Sequence, residues 1–187
     1  MVSHLSTVEQ IWRGLDRPLW IVTAASDFRR GGLVATWFMQ ASIDPDRPVV
    51  SAAIAANHFT RELIAESGGL AAHLIRPDRI DLAWRFGMSS GRDYDKLLGV
   101  PHTTGISGSP ILDDCLAWLD CRVIGEFSTG DRIYYWADVL DARQLSNSPP
   151  LTEQRLIAAA TPEQLRQLRQ QRQADVEIQR PLFDAWR

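Results

Sequence analysis

The sequence predicts a mainly β fold of the α+β class, with short helices and a C-terminal helical extension. Three observations predict it. Short runs of branched and aromatic residues, bounded by Gly, Pro, Asn and Asp clusters, recur between residues 19 and 142. Only two brief segments among them have helical spacing. After the loop SNSPP the composition turns to Arg and Gln, in a pattern that reads as helix. With 187 residues, 45% hydrophobic and 23% charged, the chain is long enough to bury a core as one domain with an appendage. The expected division is a domain over residues 1–148 and a helical extension over 149–187.

Residues 19–25, LWIVTAA, form the first strand, closed by a polar cluster and the pair Gly31-Gly32, which reads as a turn. A second strand follows over residues 33–42 and a third over 49–56, with Pro45 and Pro48 at boundaries where they cost no ladder bond. Residues 57–67 read as a short helix stopped by Gly68-Gly69. Residues 70–76 form another strand, and Ile80, Leu82, Ala83, Trp84 and Phe86 have helical spacing. A polar, glycine-marked stretch runs from Gly87 to about Ser109. Residues 115–127 and 132–142 then form an antiparallel pair across the turn Ser128 to Asp131. In the extension, Thr161-Pro162-Glu163-Gln164 is a helix start with an N-cap Thr, Pro at the first position and Gln at the third. The helix is expected to reach about Gln179, with a thin apolar stripe of Leu165, Leu168 and Val176 packed along a barrel or a partner subunit.

Several function classes are excluded by composition and motif. A net charge of -3 gives no basic footprint for nucleic acid. No segment resembles a signal peptide or a membrane span, which predicts a cytoplasmic protein. Cys115 and Cys121 form no CxxC pair and read as two small buried hydrophobes. His4, His58, His73 and His102 share no metal-ligand spacing, so no metal is expected, and His73 reads as a satisfied residue of its strand. The phosphate-loop, dinucleotide and zinc-protease motifs are absent, and residues 105–109, GISGS, have the wrong order for a nucleophile elbow and read as a flexible loop.

A polar cluster is left over. Thr36, Gln40 and Ser42 punctuate an apolar strand at even spacing, so one face carries all three. Asn57, His58 and Thr60 open the helix that follows, where free N–H groups make a natural phosphate seat.

These residues resemble the flavin reductase family. ATWFMQASIDPDRP (35–48) followed by NHFTRELIAESGG (57–69) is similar to its pattern of a small-residue strand, a Ser-hydrophobic-Asp-Pro turn and a His-x-Thr helix start. GMSSGRDYDK (87–96) is similar to the Ser-Gly-Arg-x-x-Asp-Lys element of flavoredoxin-like members, and SPIL, LDCRV and GDR follow in the family's order, so that the likeness covers residues 17–145. It implies an FMN-binding split β-barrel, working as a homodimer with the flavin near the subunit interface. On that reading Ala35, Thr36, Trp37, Phe38, Gln40 and Ser42 run along the isoalloxazine and ribityl chain. Asn57, His58 and Thr60 serve its phosphate end, and Ser90, Arg92 and Lys96, the only lysine, bring donors and charge.

Where many members carry Gly-Asp-His, this chain has Gly130-Asp131-Arg132, which places Arg132 on the nicotinamide side of the pocket. The implied activity is NAD(P)H-dependent reduction of bound FMN, with NADH or NADPH as co-substrate and no catalytic side chain, because the flavin carries the chemistry. The alternative is a non-catalytic FMN carrier or electron-transfer module reduced by a protein donor.

Overall fold

The computed structural model describes residues 4–187. Its elements run α1 (His4–Gly14), β1 (Trp20–Ser26), β2 (Arg29–Ala35), β3 (Phe38–Gln40), β4 (Val49–Ala55), α2 (Phe59–Ser67), β5 (Gly69–Leu74), α3 (Ile80–Gly87), β6 (His102–Thr104), β7 (Pro110–Leu112), β8 (Ala117–Ser128), β9 (Arg132–Gln144), α4 (Glu153–Ala158) and α5 (Pro162–Trp186). Seven strands form one antiparallel sheet in the order β2-β1-β5-β8-β9-β4-β3, and β6 and β7 pair separately.

The two outer strands of that sheet, β2 and β3, are neighbours in the chain, joined only by Thr36 and Trp37. The three Cα–Cα steps from Ala35 to Phe38 span roughly 11 Å at most. The sheet therefore has to curl until its edges meet, and the result is a split barrel. The rings of Trp20 on β1 and Phe38 on β3 lie 4.7 Å apart. One buried cluster takes Val22 and Leu33 from one end, Phe38 and Val50 from the other, and Tyr135 and Cys121 from the middle. A second cluster, built from Ile21, Phe86, Leu97 and Leu112, fills the opposite side of β1 and also receives Leu151 and Leu156.

The expected strand over 33–42 is two strands, and the reason lies in the glycine pair. Gly31 and Gly32 are not the turn; they pair with Ala24 and Thr23 inside β2. The turn is Asp27-Phe28, where Asp27 takes φ 51, a conformation a short polar side chain tolerates. The glycines make room for aromatic rings: a Cβ on Gly32 would lie 2.8 Å from the Phe86 ring. Thr36 consequently sits at the bend, Gln40 in β3 and Ser42 beyond it, so the three do not share one strand face.

Other departures have similarly local causes. Cys115 precedes β8, and the two buried free thiols sit in different surroundings, Cys115 near the Leu112 carbonyl and Cys121 in the first cluster. Residues 105–109 are a tight turn gathered on the buried Asp120 carboxylate, which accepts from the Ser107 N–H at 3.0 Å and from the Ser107 hydroxyl. His73 is fully buried and satisfied as expected: Nδ1–H donates to the Ile21 carbonyl at 2.9 Å, and Nε2 accepts from the Leu112 N–H at 3.1 Å. The short helices α1 and α4 carry no strong sequence signal; α4 is set by Leu156, a Thr152 cap and the bridge from Thr152 to Pro18.

The capping box at Thr161 and Gln164 forms as predicted. Its helix, α5, runs past Gln179 and through Pro181 to Trp186. Proline removes one helical bond, and beyond it the helix lies on the β8–β9 turn, with the Leu182 carbonyl and Trp186 against Gly130 and the Trp186 ring edge-on to Phe127. Val176, expected on the apolar stripe, is exposed instead.

Candidate functional site

Beyond the β2–β3 bend, Trp37 projects into partial exposure while its carbonyl stays tied to the Ala53 N–H at 2.9 Å. Arg132, the first residue of β9, lays its guanidinium over the Trp37 ring with 4.3 Å to the centroid. Its neighbour Asp131 accepts the Ala56 N–H through its carbonyl at 2.8 Å, which fixes the β8–β9 turn beside the start of α2. Three separate parts of the chain meet there.

The start of α2 is built from donors. Its N-cap, His58, is extended and makes no side-chain cap, so the first N–H groups of the helix have no capping side chain. Arg92 reaches the same place: its guanidinium donates to the Asn57 carbonyl at 3.1 Å and to Glu62, and lies 5.7 Å from the centre of the Phe59 ring. The Ser90 hydroxyl accepts the Arg92 N–H at 3.2 Å, which holds that loop in shape. Burial pushes the His58 imidazole below its usual pKa, against the opposing pull of the Asp175 carboxylate on α5. An uncapped helix N-terminus, a guanidinium and a serine hydroxyl around Asn57 to Phe59 form a donor set suited to a phosphate group. The neighbouring Trp37 is partly exposed beneath the Arg132 guanidinium, an aromatic group of the kind that packs with a flat heterocycle.

Phe59 and Arg92 also line a cleft of ≈ 430 Å³, together with Arg29, Arg30 and Tyr94, and Arg92 is itself paired with Glu62. Its charges are paired off, Arg29 with Glu66 and Arg30 with Asp95.

Of the residues expected at a cofactor, Trp37, Asn57, His58, Ser90, Arg92 and Arg132 lie on the elements that meet here. The others go elsewhere. Ala35 and Phe38 are core residues of the first cluster, and Thr60 is buried on the inner side of α2. Gln40 and Ser42 bond locally, the Gln40 amide to the Ser42 carbonyl at 2.6 Å and the Ser42 hydroxyl to the Asp44 N–H at 3.1 Å. Lys96 is the clearest correction. Its ammonium turns inward and donates to the Gly32 and Phe86 carbonyls at 3.0 and 2.8 Å, and burial pulls its pKa down to about 8. It ties the 87–109 stretch to β2, and its charge reaches His58 only through space, as one of the influences that lower the imidazole pKa.

The likeness to known proteins follows the same elements. The description "Flavin reductase like domain" matches residues 12–156. The chain belongs to the flavin reductase-like family. It is 24% identical over 136 residues to the ferric-chelate reductase (NAD(P)H) of Archaeoglobus fulgidus, covering 72% of this chain and 79% of that protein. With the FMN reductase (NADH) RutF of Pseudomonas syringae it is 25% identical, covering 74% and 76%. Against diflavin flavoprotein A 1 of Synechocystis it is 27% identical over 67% of its own length, but that match spans only 22% of the larger protein. Among solved structures, the nitrilotriacetate monooxygenase component B homologue of Mycobacterium thermoresistibile superposes with TM-score 0.71 at 23% identity, covering 84% and 90%. The FMN-binding protein of Thermus thermophilus gives TM-score 0.64 at 24% identity, covering 70% and 71%. This places the fold among the split barrels of the flavin reductase-like family.

What sequence reasoning missed is the contact of α5 with the site, since that helix, though expected, begins beyond the family match. Gln179 donates to Asn57 Oδ1 and accepts from Arg132, each at 3.4 Å, and Gln171 donates to the Gly87 carbonyl at 3.2 Å. The available signal was the four-residue spacing of Gln171, Asp175 and Gln179, which puts three polar side chains on one helix face. Among the described residues no group of three His, Cys, Asp or Glu side chains comes together as a metal site, and no helix is long and apolar enough to cross a membrane.

Proposed function

We propose that this chain binds FMN and is an NAD(P)H-dependent flavin oxidoreductase. The observation that carries the proposal is the convergence at Asn57 of the uncapped α2 N-terminus and the Arg92 guanidinium, beside the Trp37–Arg132 stack. A phosphate at the first and a flat ring along the second describe FMN, and family membership supports it. Bound FMN supplies a two-electron acceptor for the hydride of a nicotinamide nucleotide. The protein's part is to hold the phosphate with Arg92 and the α2 N–H groups, to orient the ring against Trp37, and to offer Arg132 to the nucleotide. No proton-transferring side chain is required.

The protein is proposed to act as a homodimer. Met39, Ser51 and Trp136 stand in one row across β3, β4 and β9, and Met39 and Trp136 are exposed, while the adjacent row Phe38, Ala52 and Tyr135 faces the core. Two large exposed side chains, Met39 and Trp136, flanking a small Ser51 on the outer face of a sheet suit a second copy of the same surface.

A second reading, an FMN carrier that takes electrons from a protein donor, is favoured by the engagement of Arg132 with α5, which leaves less of the pocket open to a free nucleotide. The visible spectrum with FMN, recorded before and after anaerobic NADH or NADPH, separates the two. Bleaching with either nucleotide is the expected result. Bound flavin that stays oxidised with both supports the carrier, and no binding of FMN at all overturns both readings.

A further inference from the structure

The helix α5 has the wrong inner face for a helix that merely packs. None of its residues is fully buried. Its C-terminal end rests on the body through the Leu182 carbonyl and Trp186 against Gly130 and through Trp186 edge-on to Phe127 at 6.3 Å, and nearer its start Arg172 pairs with Glu9 at the surface. Its middle turns Gln171, Asp175 and Gln179 inward, toward Gly87, His58, Asn57 and Arg132. The bonds made there are long, and Gln171 Oε1 is screened from solvent with no partner among the described residues. Hydrogen bonds at 3.4 Å sit at the weak end of the range, and an unpaired acceptor carries a cost, so this seam is held loosely.

The group at its centre is informative. The primary carboxamide of Gln179 donates through its NH2 to Asn57 Oδ1 and accepts through its oxygen from Arg132, directly beside the Trp37–Arg132 stack. A primary carboxamide is also what the nicotinamide ring carries. We propose that Asn57 and Arg132 form a receptor for the nicotinamide carboxamide, and that Gln179 fills it in the nucleotide-free protein, which makes α5 an intramolecular competitor. This rests on the nicotinamide reading above.

The helix is built to leave as a unit. Its capping box closes its own first turn, Ala159 and Ala160 separate it from α4, and α4 stays anchored through Leu156. Because the α5 seam is weakly bonded, a ligand offering the same carboxamide with a ring to stack can displace it.

The test uses the FMN-loaded full chain and NAD+, which binds oxidised flavoprotein without reacting. Equilibrium dialysis is run on the wild type, on Gln179→Ala and on Asn57→Ala, with amide hydrogen exchange of residues 165–180 followed in parallel. The expected result is about fivefold tighter binding of NAD+ by Gln179→Ala, since the competitor is gone. Asn57→Ala is expected to bind NAD+ no better than the analogue in which acetylpyridine replaces nicotinamide, because its distinction from the wild type is the acceptor for the amide NH2. In the wild type, NAD+ is expected to speed exchange along α5. Binding of NAD+ that is equal in wild type and Gln179→Ala, with α5 exchange unchanged, overturns the competitor while leaving the reductase reading intact. No NAD+ binding by any form overturns the nicotinamide reading itself, and the receptor with it.

Discussion

The molecule handles polarity in two ways in two regions, one behind the β1–β5 strands and one along α5. On the β1–β5–β7 side, His73 and Thr23 are enclosed, and each has short bonds: His73 at 2.9 and 3.1 Å, and the Thr23 hydroxyl at 2.5 Å to the Pro110 carbonyl. On the α5 side, Asn57, Arg132, Gln171 and Gln179 are partly open, their contacts reach 3.4 Å, and one acceptor is idle. The first arrangement is what a fold needs, since an enclosed polar group without a partner is costly. The second keeps donors and acceptors available to something else. The contrast lies in bond length and exposure and not in idle atoms, since the enclosed Ser109 and Tyr135 hydroxyls also lack partners.

The largest effect that can break the comparison is protonation of His73. Burial lowers its pKa to about 4, below its usual value of 6.5, so the unfolded chain binds the proton first as pH falls. The stability it supports is complete above pH 6.5 and is lost between there and pH 4, by about 3 kcal/mol in all. Urea unfolding across that window in the wild type and in His73→Leu is expected to show the loss in the first and a flatter profile in the second. The variant should also be less stable near pH 7, because the Ile21 carbonyl and Leu112 N–H lose their partner, at a cost of about 2–4 kcal/mol.

A smaller effect is expected for Lys96→Met, which leaves the Gly32 and Phe86 carbonyls unbonded but removes a desolvated charge, for a net loss of about 1–2 kcal/mol. FMN affinity should be unchanged in that variant. A drop in affinity greater than the loss of folded protein explains would return Lys96 to the site.

Arg92→Ala is expected to behave in the opposite manner: stability within about 0.5 kcal/mol of wild type, as for other exposed ion pairs, and FMN affinity lower by about 10- to 100-fold. Fluorescence quenching of FMN reads the second quantity. Smallest of all is the stability change in Gln179→Ala, expected within about 0.5 kcal/mol in thermal unfolding because its bonds are long. A loss of several kcal/mol there would move α5 into the structural class.

Much of this was legible in the chain itself, for reasons that differ by residue. The strands over 19–25, 49–56 and 132–142 announce themselves through branched residues and bounded turns, and the helix start at Thr161 through its caps. Asn57, Arg92 and Arg132, which the proposed binding rests on, stand out in the chain because each sits in a short motif at a chain turn. Lys96 could not be placed, because its destination depends on the carbonyls left accessible at Gly32 and Phe86, which lie 64 and 10 residues away. Gly31-Gly32 misled for a related reason: glycine marks a turn locally, but here it accommodates the Phe59 and Phe86 rings, which arrive from other elements. Gln179 is the extreme case, meeting Asn57 across 122 residues.

The two thiols carry one more consequence. Burial raises Cys115 to about 11 and Cys121 to about 12, so that at neutral pH at most about one molecule in ten thousand exposes a thiolate at either position. Peroxide attacks the thiolate and spares the thiol. Reduced flavins release peroxide when they meet dioxygen, so a flavin bound as proposed would leave both cysteines untouched and find the exposed Met39 thioether as a sulfur within reach.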